Sequence, residues 1–527
     1  MSPSGTSPEE LGALATRLGY ALDPGQVRGM ADAVAGTEPA VTALRRTAVP
    51  DDVADPAHGE RRLRVDSPTD GADVLDRQWA DQLRGTWSGR APAAAEQLER
   101  LHQELGCTIR VLHQRIGSRT PDSPPRLLEG VPFAVKDVID VAGVPTTGAS
   151  RTREHAAPAV ESATVVARLE AAGAVPVSKD ATTEFAVGGP HAPLTGACRN
   201  PWDTERWAGG SSTGTAAAVA AGVVPFGIGT DVGGSIRLPA AWCGLTGLKP
   251  TAGAVPRTGV IPLSWTTETV GPIARDARTT ALVFGLIRGA DGRDPRTGPL
   301  SPLPSVQPPA DLRGLRIARP GGYLTELCDS AVRAGLDELV GVLTDAGAEI
   351  VPGEIESAAQ ALPIGYEIVF TEAATLHRDD AGRWADYDPV TVARISKGIT
   401  TPAVDYLRAL QFRTRLQTEL DAVFAEADLV VVPTTPATAP RLPDCTVVVD
   451  GQRYPLYAAQ SRATMLGNLT GAPGLALPTG FAPDGCPVSA MFLAQPHDEA
   501  TALRVAAFFQ ERTGHHRRVP DRPGGHR

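Results

Sequence analysis

Beyond the first quarter of the chain, short apolar runs alternate with stretches of helical apolar spacing. The runs at 131–135, 174–178, 427–433 and 473–478 have the length and composition of buried strands. The stretch 163–172 places its apolar residues on one side of a helix. Alternation of this kind predicts an α/β protein whose sheet is largely parallel and buried on both faces.

The N-terminal region carries its own helix start signals. Ser7 and Glu10 form a capping-box pattern around a proline at the first helical position, and Asp23 opens a second start. The segment 49–71 is rich in Pro, Asp and Gly and is predicted to be a linker. We therefore predict a helical extension over 1–76. Its helices are too few to bury a core of their own, which makes the extension a candidate dimerisation region.

The pattern also divides the rest of the chain. The alternation of strands and helices runs through 77–510, which we predict to be one domain. Within it, the section 326–426 is more helical and is predicted to form a cap beside the sheet. The final segment, 511–527, is the one strongly basic run and is predicted to be a solvated, flexible tail.

The composition supports a folded protein and excludes several kinds of partner. Of the 527 residues, 42% are hydrophobic and 21% are charged, which is enough apolar material for a sizeable core. The net charge of −10 predicts no nucleic-acid partner and no polybasic membrane contact. The longest apolar stretch, 216–229, is too short to span a bilayer, and the N-terminus lacks a signal-peptide pattern. We therefore expect a cytoplasmic protein.

The cysteines and histidines predict neither a metal site nor a disulfide framework. The six cysteines are scattered without CxxC spacing, and the ten histidines form no HExxH motif or His/Cys cluster. A reducing compartment is the simplest setting for such a chain. We expect no metal and no organic cofactor.

The densest chemical signal is the Gly- and Ser-rich segment 207–239. A phosphate-binding loop is disfavoured, because no lysine follows either glycine cluster as in GxxxxGK[ST], and GIGTDVGG misses GxGxxG by one residue. A nucleophile elbow is a second interpretation, since GSSTG places Ser212 at the centre of GxSxG. That interpretation needs a downstream histidine, and none has a persuasive setting. A structural interpretation would make the glycines turns and Lys136 a surface lysine.

Three separated motifs support a further interpretation. The cluster 209–212 lies 24 residues before the cluster 233–235, and Lys136 lies 75 residues before Ser211. Other recognisable segments are NPWD at 200–203, TDVGGSIRLPAAWCGLTGLKPT at 230–251, PTTPATAP at 433–440 and NLTGAPG at 468–474. In this combination the chain, from about 78 to 510, resembles the amidase signature family.

The resemblance implies a fold and a catalytic set. The fold is an α/β amidase-signature fold, with one large mixed β-sheet flanked by helices on both faces, and 77–510 becomes its catalytic domain. The implied triad has Ser235 as nucleophile, Ser211 in a cis peptide as the bridging residue, and Lys136 as base. The implied oxyanion hole consists of four consecutive backbone amides, those of Val232, Gly233, Gly234 and Ser235.

The residues themselves explain why such a triad needs a buried lysine. A serine hydroxyl is a poor nucleophile without a base, and no histidine lies close to either Gly/Ser cluster in the sequence. An exposed lysine, with a pKa of about 10.4, is neutral in only about one molecule in 2,500 at pH 7. Burial at the end of the apolar run before Lys136 would lower that pKa. Asp137 faces the other side of an extended strand, and we expect it to be a solvated or capping carboxylate.

Flanking residues are expected to support the site. Gly210 makes the backbone before the bridging serine permissive, and Ser212 is expected to hydrogen-bond within its loop. Asp231 and Arg237 flank the nucleophile and are expected to pair or to anchor its loop. Two residues of the segment TEAATLHRD either contact the substrate or form a pair on a helix surface: Glu372 and His377. The chain departs from the family pattern at Ala208, Thr213, Thr215 and Glu268.

The activity implied by the resemblance is hydrolysis of a carboxamide C–N bond through an acyl-enzyme, giving a carboxylic acid and ammonia or an amine. The expected partners are a small-molecule amide and a second copy of the chain, with no nucleic acid and no membrane. Two alternatives stay open. One is the glutaminase subunit of a tRNA-dependent amidotransferase, which the long N-terminal extension disfavours. The other is a non-catalytic binding protein on the same fold, which the intact Lys136, Ser211 and Ser235 disfavour.

Overall fold

The computed structural model describes residues 7–17, 23–34, 75–116 and 124–521, apart from positions 33 and 443. The predicted linker at 49–71 lies outside these ranges. The α-helices are α1 Pro8–Arg17, α2 at 24–32, α3 Arg77–Trp87, α4 Ala91–Leu105, α5 Thr164–Ala171, α6 Thr213–Ala220, α7 Arg237–Trp242, α8 Ala277–Ile287, α9 Tyr323–Glu326, α10 Ser330–Asp345, α11 Ala358–Leu376, α12 Pro389–Thr400, α13 Ala403–Phe424, α14 Leu456–Ala459, α15 Thr464–Thr470 and α16 Glu499–Thr513. None of these helices is long and apolar enough to cross a membrane.

One large sheet carries most of the strands. The strands are β1 Thr108–Val111, β2 Pro132–Lys136, β3 Val175–Asp180, β4 His191–Ala192, β5 Gly196–Ala197, β6 Arg199–Asn200, β7 Asp203–Trp207, β8 Phe226–Asp231, β9 Thr246–Lys249, β10 Thr269–Ala274, β11 Arg316–Ala318, β12 Glu349–Val351, β13 Leu429–Pro433, β14 Val447–Val449, β15 Gln452–Tyr454, β16 Gly474–Phe481 and β17 Pro487–Ala494. Eleven of them form a sheet in the order β1-β3-β2-β8-β10-β9-β16-β17-β13-β11-β12.

The sheet is mixed, as the resemblance implied, and the expectation of a largely parallel sheet is wrong. β3, β2 and β8 run parallel, as do β13, β11 and β12, but the strands between β8 and β13 pair antiparallel. Strands buried on both faces have the same apolar pattern in either direction, so that pattern does not reveal their orientation. The short connection at Asp484-Gly485 between β16 and β17 is the sequence signal for a hairpin.

Alternating strand residues build an apolar layer on each face of the sheet. Phe133 and Val135 of β2 join one layer and Ala134 joins the other. The first layer is covered by α3, α5, α8, α10 and α16, and the second by α4, α6, α7, α11, α13 and α15. Helices therefore cover both faces. By the same alternation, Lys136 at the end of β2 faces the second layer.

The described N-terminal helices begin where the sequence predicts. The Ser7 amide donates to Glu10 Oε2 at 2.8 Å, and the Glu10 amide donates back to Ser7 Oγ at 3.2 Å. Asp23 Oδ1 accepts the Gln26 amide at 2.9 Å and so caps α2. These are the reciprocal bonds that a capping box makes, so the local start signals decide where both helices begin.

The C-terminal segment differs from the predicted solvated tail. Its first residues complete α16, and His515 Nε2 then lies 2.8 Å from Glu338 Oε1. The Arg518 guanidinium lies 3.8 Å from the ring centre of Phe481. Residues 511–521 therefore pack on the domain, through partners that are distant in sequence, and 522–527 lie outside the described residues.

Candidate active site

Three neighbouring strands bring polar residues to one edge of the sheet. β2 and β8 run parallel, so their last residues, Lys136 and Asp231, lie at the same edge. β10 runs antiparallel to β8 and begins at this edge, with Thr269 opposite Asp231. Glu268, the residue before β10, therefore lies there as well.

The Lys136 side chain is fully buried at this edge. Its Nζ lies 2.6 Å from Ser211 Oγ and 2.8 Å from Thr230 Oγ1. Burial lowers the pKa of Lys136 to about 7, although the carboxylates of Glu268 and Asp231 act in the opposite direction. A large fraction of Lys136 is therefore neutral near pH 7, unlike an exposed lysine.

Ser211 and Ser235 lie on the wall of one pocket. Ser211 is 3% exposed and is joined to Gly210 by the cis peptide bond that the resemblance implied. Ser235 is partly exposed, in the loop between β8 and α7. The Ser212 amide donates to the Ser235 carbonyl at 3.2 Å, and the buried Ser212 hydroxyl donates to the Thr230 carbonyl at 3.4 Å. Ser212 therefore ties the two serine loops together and does not line the pocket.

Asp231 holds the Ser235 loop in position. Its Oδ1 accepts the Gly234 amide at 2.7 Å, and its Oδ2 accepts the Ile236 amide at 3.1 Å. Arg237 donates to both carboxylate oxygens at 3.0 Å. Burial alone would raise the pKa of Asp231, but the Arg237 guanidinium outweighs it and holds that pKa well below its usual range. The two residues form a buried ion pair that shapes the loop.

The bond from Gly234 bears on the oxyanion hole implied by the resemblance. Because the Gly234 N–H donates into the loop, it is not available to a substrate carbonyl. Among the described residues, none accepts a hydrogen bond from the amide of Val232, Gly233 or Ser235. All three residues line the pocket. Their amides are therefore the members of the implied set that have no acceptor in the described part of the chain.

Two glycines beside the serines occupy positions that exclude a side chain. Gly234 has a φ of 127°, and a Cβ there would come within 2.5 Å of Thr464 Oγ1. A Cβ on Gly210 would come within 2.6 Å of the Trp207 ring. Glycine is thus required by space at both positions and by backbone conformation at Gly234.

Asp137 differs from the expectation of a solvated or capping carboxylate. It is fully buried, its Oδ1 lies 3.0 Å from Lys179 Nζ, and its Oδ2 accepts the Thr147 amide at 2.9 Å. These partners are separate from those of Lys136, as expected for neighbours on opposite faces of a strand. Lys179 belongs to the adjacent strand β3, a pairing that sequence spacing does not reveal.

The pocket beside Ser235 is small and mostly apolar. Its volume is about 70 Å³. Among the described residues that line it, Arg394 is the one charged side chain, and none is a histidine or a carboxylate. Arg394 Nη1 donates to the Gly188 carbonyl at 3.1 Å, and its guanidinium lies 3.5 Å from the Tyr457 ring centre. The apolar and aromatic lining residues are Ala186, Val187, Trp207, Val232, Leu238, Leu263, Tyr366, Val369, Phe370, Tyr457 and Met465.

Glu372 and His377 fit neither role that the sequence suggested. Glu372 is fully buried and accepts hydrogen bonds from Ser264 Oγ at 2.6 Å and Tyr406 Oη at 3.0 Å. His377 packs edge-on against Phe185, and burial lowers its pKa to about 4. Both side chains lie inside the protein and neither lines the pocket, so they are neither substrate contacts nor a surface pair.

Two neighbours of the site were not singled out from the sequence. Thr230 holds Lys136, and Asn468 bridges the loop ion pair: its Nδ2 donates to Asp231 Oδ1 at 2.9 Å, and its Oδ1 accepts from Arg237 Nη2 at 2.6 Å. Both lie inside recognisable segments, 230–251 and 468–474. Their position inside these segments is the sequence signal that could have marked Thr230 and Asn468 as site residues. It does not show which residues they hydrogen-bond.

Comparison with known proteins identifies the family. The family model described as Amidase matches residues 90–503, so the chain belongs to the amidase signature family. The two N-terminal helices, α1 and α2, precede the matched region. The chain is therefore an amidase-type enzyme with an added N-terminal region.

Individual relatives show the range of the family. A glutamyl-tRNA(Gln) amidotransferase subunit from Chloroflexus aggregans is 39% identical over 426 residues, which cover 75% of this chain and 85% of that protein. AtzE, a 1-carboxybiuret hydrolase subunit from Pseudomonas sp. strain ADP, is 37% identical over 73% of this chain and 84% of that protein. The peptide amidase PAM, solved with the inhibitor chymostatin, has a TM-score of 0.70 and 26% identity, covering 86% of this chain and 99% of that one.

Proposed function

We propose that the protein hydrolyses a carboxamide through an acyl-enzyme on Ser235, with Ser211 and Lys136 moving the proton. The observation that carries the proposal is the 2.6 Å contact between fully buried Lys136 and Ser211, which shares a pocket wall with Ser235. A lysine that is neutral near pH 7 can accept a proton. A serine hydroxyl donates and accepts at once, which suits Ser211 as a relay.

In the proposed acylation step, Ser235 Oγ attacks the amide carbonyl carbon and gives its proton to Ser211, whose own proton passes to Lys136. The carbonyl oxygen becomes an oxyanion near the Val232, Gly233 and Ser235 amides. Collapse of the tetrahedral intermediate breaks the C–N bond, and the proton returns from Lys136 through Ser211 to the leaving nitrogen. Water then attacks the acyl ester along the same proton path, releasing the acid and restoring the Ser235 hydroxyl.

A second candidate is the ammonia-producing component of an amidotransferase. The 39% identity with a glutamyl-tRNA(Gln) amidotransferase subunit supports it. Free glutamine, however, carries an ammonium group, and no carboxylate is among the described residues of the pocket wall. An ammonium group placed in such a pocket would lose its hydration without gaining an ion-pair partner. The lining therefore favours a small amide without a cationic group, and with it the first candidate.

The test is ammonia or amine release by the full chain from a panel of short aliphatic amides, aryl amides, urea derivatives and free glutamine. Ser235→Ala should lose at least about 10³-fold in kcat, because the nucleophile is gone. Ser212→Ala is the matched control and should retain most activity. An inactive Ser212 variant beside an active Ser235 variant would support the nucleophile elbow. Glutamine hydrolysis that requires an added partner protein would support the second candidate.

Labelling with a fluorophosphonate separates an enzyme from a binding protein on the same fold. A serine activated by a base reacts covalently with such a probe, whereas an ordinary serine does not. We expect one label per chain on Ser235, absent from Ser235→Ala and strongly reduced in Lys136→Ala. A wild-type chain that stays unlabelled would favour the binding protein.

A further inference from the structure

The N-terminal helix α1 reaches an apolar cluster that supplies part of the pocket wall. Leu11 and Ala15 of α1 and Met30 of α2 are 3%, 0% and 0% exposed, although both helices precede the family match. Ala15 shares one apolar cluster with residues that line the pocket: Val187, Val232, Leu263, Val369 and Phe370. α1 and α2 therefore pack on their own chain, and α1 reaches the cluster beside the site.

α2 lies against the helix that carries Arg394 into the pocket. A Cβ on Gly29 would lie 3.7 Å from the Cβ of Ala393, the residue before Arg394 in α12. Gln26 Nε2 donates to the Trp384 carbonyl at 3.1 Å, and Trp384 is itself buried in the cluster. α2 is thus held by packing on α12 and by a hydrogen bond to the segment that precedes α12.

α1 in turn packs on α2. The Cβ position of Gly12 lies 3.5 Å from a Val27 methyl group, which is ordinary van der Waals contact. Arg394 of α12 also faces the Phe370 ring of α11 at 5.9 Å. A continuous set of contacts therefore runs from α1 through α2 and α12 to the aromatic wall of the pocket.

We infer that α1 and α2 are a positioning element for the substrate pocket: they fix the α11–α12 wall from outside and so set substrate affinity without touching the reacting atoms. The inference rests on the proposed amidase function. Packed side chains bind a ligand more tightly when they are already ordered, because less freedom is lost on binding. Removing the outer cover would expose an apolar face and loosen Phe370 and Arg394.

Two alanines of α1 provide a matched test in the full chain. Ala15 is fully buried and Ala13 is exposed, so a glutamate at each adds the same charge to opposite sides of one helix. Ala15→Glu forces an unpaired carboxylate into the cluster and detaches α1. For the best amide of the panel, its KM should rise about tenfold while kcat stays within about twofold, and Ala13→Glu should match the wild type. If α1 contributed only to stability, part of the Ala15→Glu protein would be unfolded. The apparent kcat would then fall in proportion to the remaining active fraction, and KM would stay unchanged.

Fluorophosphonate labelling keeps the two proposals apart. A wild-type chain without label would overturn the proposed function, whatever the KM values. Full labelling of Ala15→Glu with a wild-type KM would overturn the positioning role while the amidase proposal stands. If Ala15→Glu does not fold, Gln26→Ala tests the positioning role instead, since it removes the hydrogen bond to the Trp384 carbonyl without burying a charge. Its KM should rise about threefold, and an unchanged KM would overturn the inference.

Discussion

Lys136 is the residue on which the proposed chemistry depends. Burial lowers its pKa to about 7, and the hydroxyls of Ser211 and Thr230 are its hydrogen-bond partners. Lowering a lysine pKa by about three units corresponds to roughly 4 kcal/mol of destabilisation of the cation, which full burial can supply. The sequence placed Lys136 at the end of an apolar strand, but only the fold shows how completely that end is covered.

The pH dependence of kcat/KM tests the role of Lys136. A base acts when deprotonated, so kcat/KM should rise with pH through one ionisation near 7. Lys136→Ala should lose most activity, and Lys136→Arg should not restore it, because a guanidinium stays protonated. No histidine substitution should remove the ionisation. Substantial activity in the arginine variant would mean that position 136 supplies only charge and that the base lies elsewhere.

Glu268 should shift the pH at which Lys136 ionises. It is 2% exposed, and its carboxylate raises the Lys136 pKa against the effect of burial. Burial raises the pKa of Glu268 itself to about 7, so its negative charge is only partly present where Lys136 titrates. Glu268→Gln removes that charge, so protonated Lys136 becomes less favourable and the rise of kcat/KM should move to lower pH by up to about one unit. Glu372→Gln is the control, because Glu372 is equally buried but is held by neutral hydroxyls such as Tyr406. A shift to higher pH, or the same shift in both variants, would contradict this role.

At the scale of elements, the Ser235 loop depends on a helix from the other end of the chain. Asn468 of α15 bonds both Asp231 and Arg237, so α15 fixes the turn between β8 and α7. Asn468→Ala removes one hydrogen-bond partner each from the buried charged groups of Asp231 and Arg237, which should cost about 1–3 kcal/mol in unfolding free energy. The loosened loop should also lower kcat about tenfold or more with a smaller change in KM, measured by steady-state kinetics beside urea unfolding. A stability loss with unchanged kcat would restrict Asn468 to a structural role.

Local features of the fold could be predicted from the sequence, whereas distant pairings could not. The apolar runs became β2, β3, β13 and β16, and the Ser7 capping box opens α1. These features depend on neighbours within a few residues. The antiparallel centre of the sheet and the Arg518 contact with Phe481 depend on residues far apart in the chain. The implied oxyanion set shows the same limit, since only the folded structure reveals that the Asp231 carboxylate accepts the Gly234 amide.

At the scale of the whole molecule, the homodimer stays a prediction. The expectation rests on N-terminal helices that are too few to bury a core of their own. In the structure Leu11, Ala15 and Met30 of these helices are buried, while residues such as Ala13 stay exposed. Sedimentation of the full chain checks it, with a mass near twice 54.9 kDa expected for the dimer and one near 54.9 kDa contradicting it.

The stability of the whole protein should depend on pH through Lys136. In the unfolded chain this lysine has a pKa of about 10.4, and in the folded protein the pKa is about 7. Between these values the unfolded state binds a proton that the folded state does not, so this contribution to stability rises as pH increases from 7 towards 10. Below pH 7 Lys136 is protonated in both states, so the folded protein holds a buried cation. The loss of folding stability caused by this cation is then greatest, at a few kcal/mol.

Lys136→Met should therefore raise the free energy of unfolding at about pH 6 by more than at about pH 10, even though it leaves the Thr230 hydroxyl without a partner at a cost of about 1 kcal/mol. Denaturant unfolding at the two pH values measures the difference. Lys179→Met is the matched control, because this equally buried lysine is paired with Asp137 at 3.0 Å. Its loss strands a buried carboxylate and should destabilise the protein by about 3–5 kcal/mol at both pH values. If Lys136→Met behaves like Lys179→Met, position 136 holds a stabilised cation in the folded protein, and a neutral base at that position is ruled out.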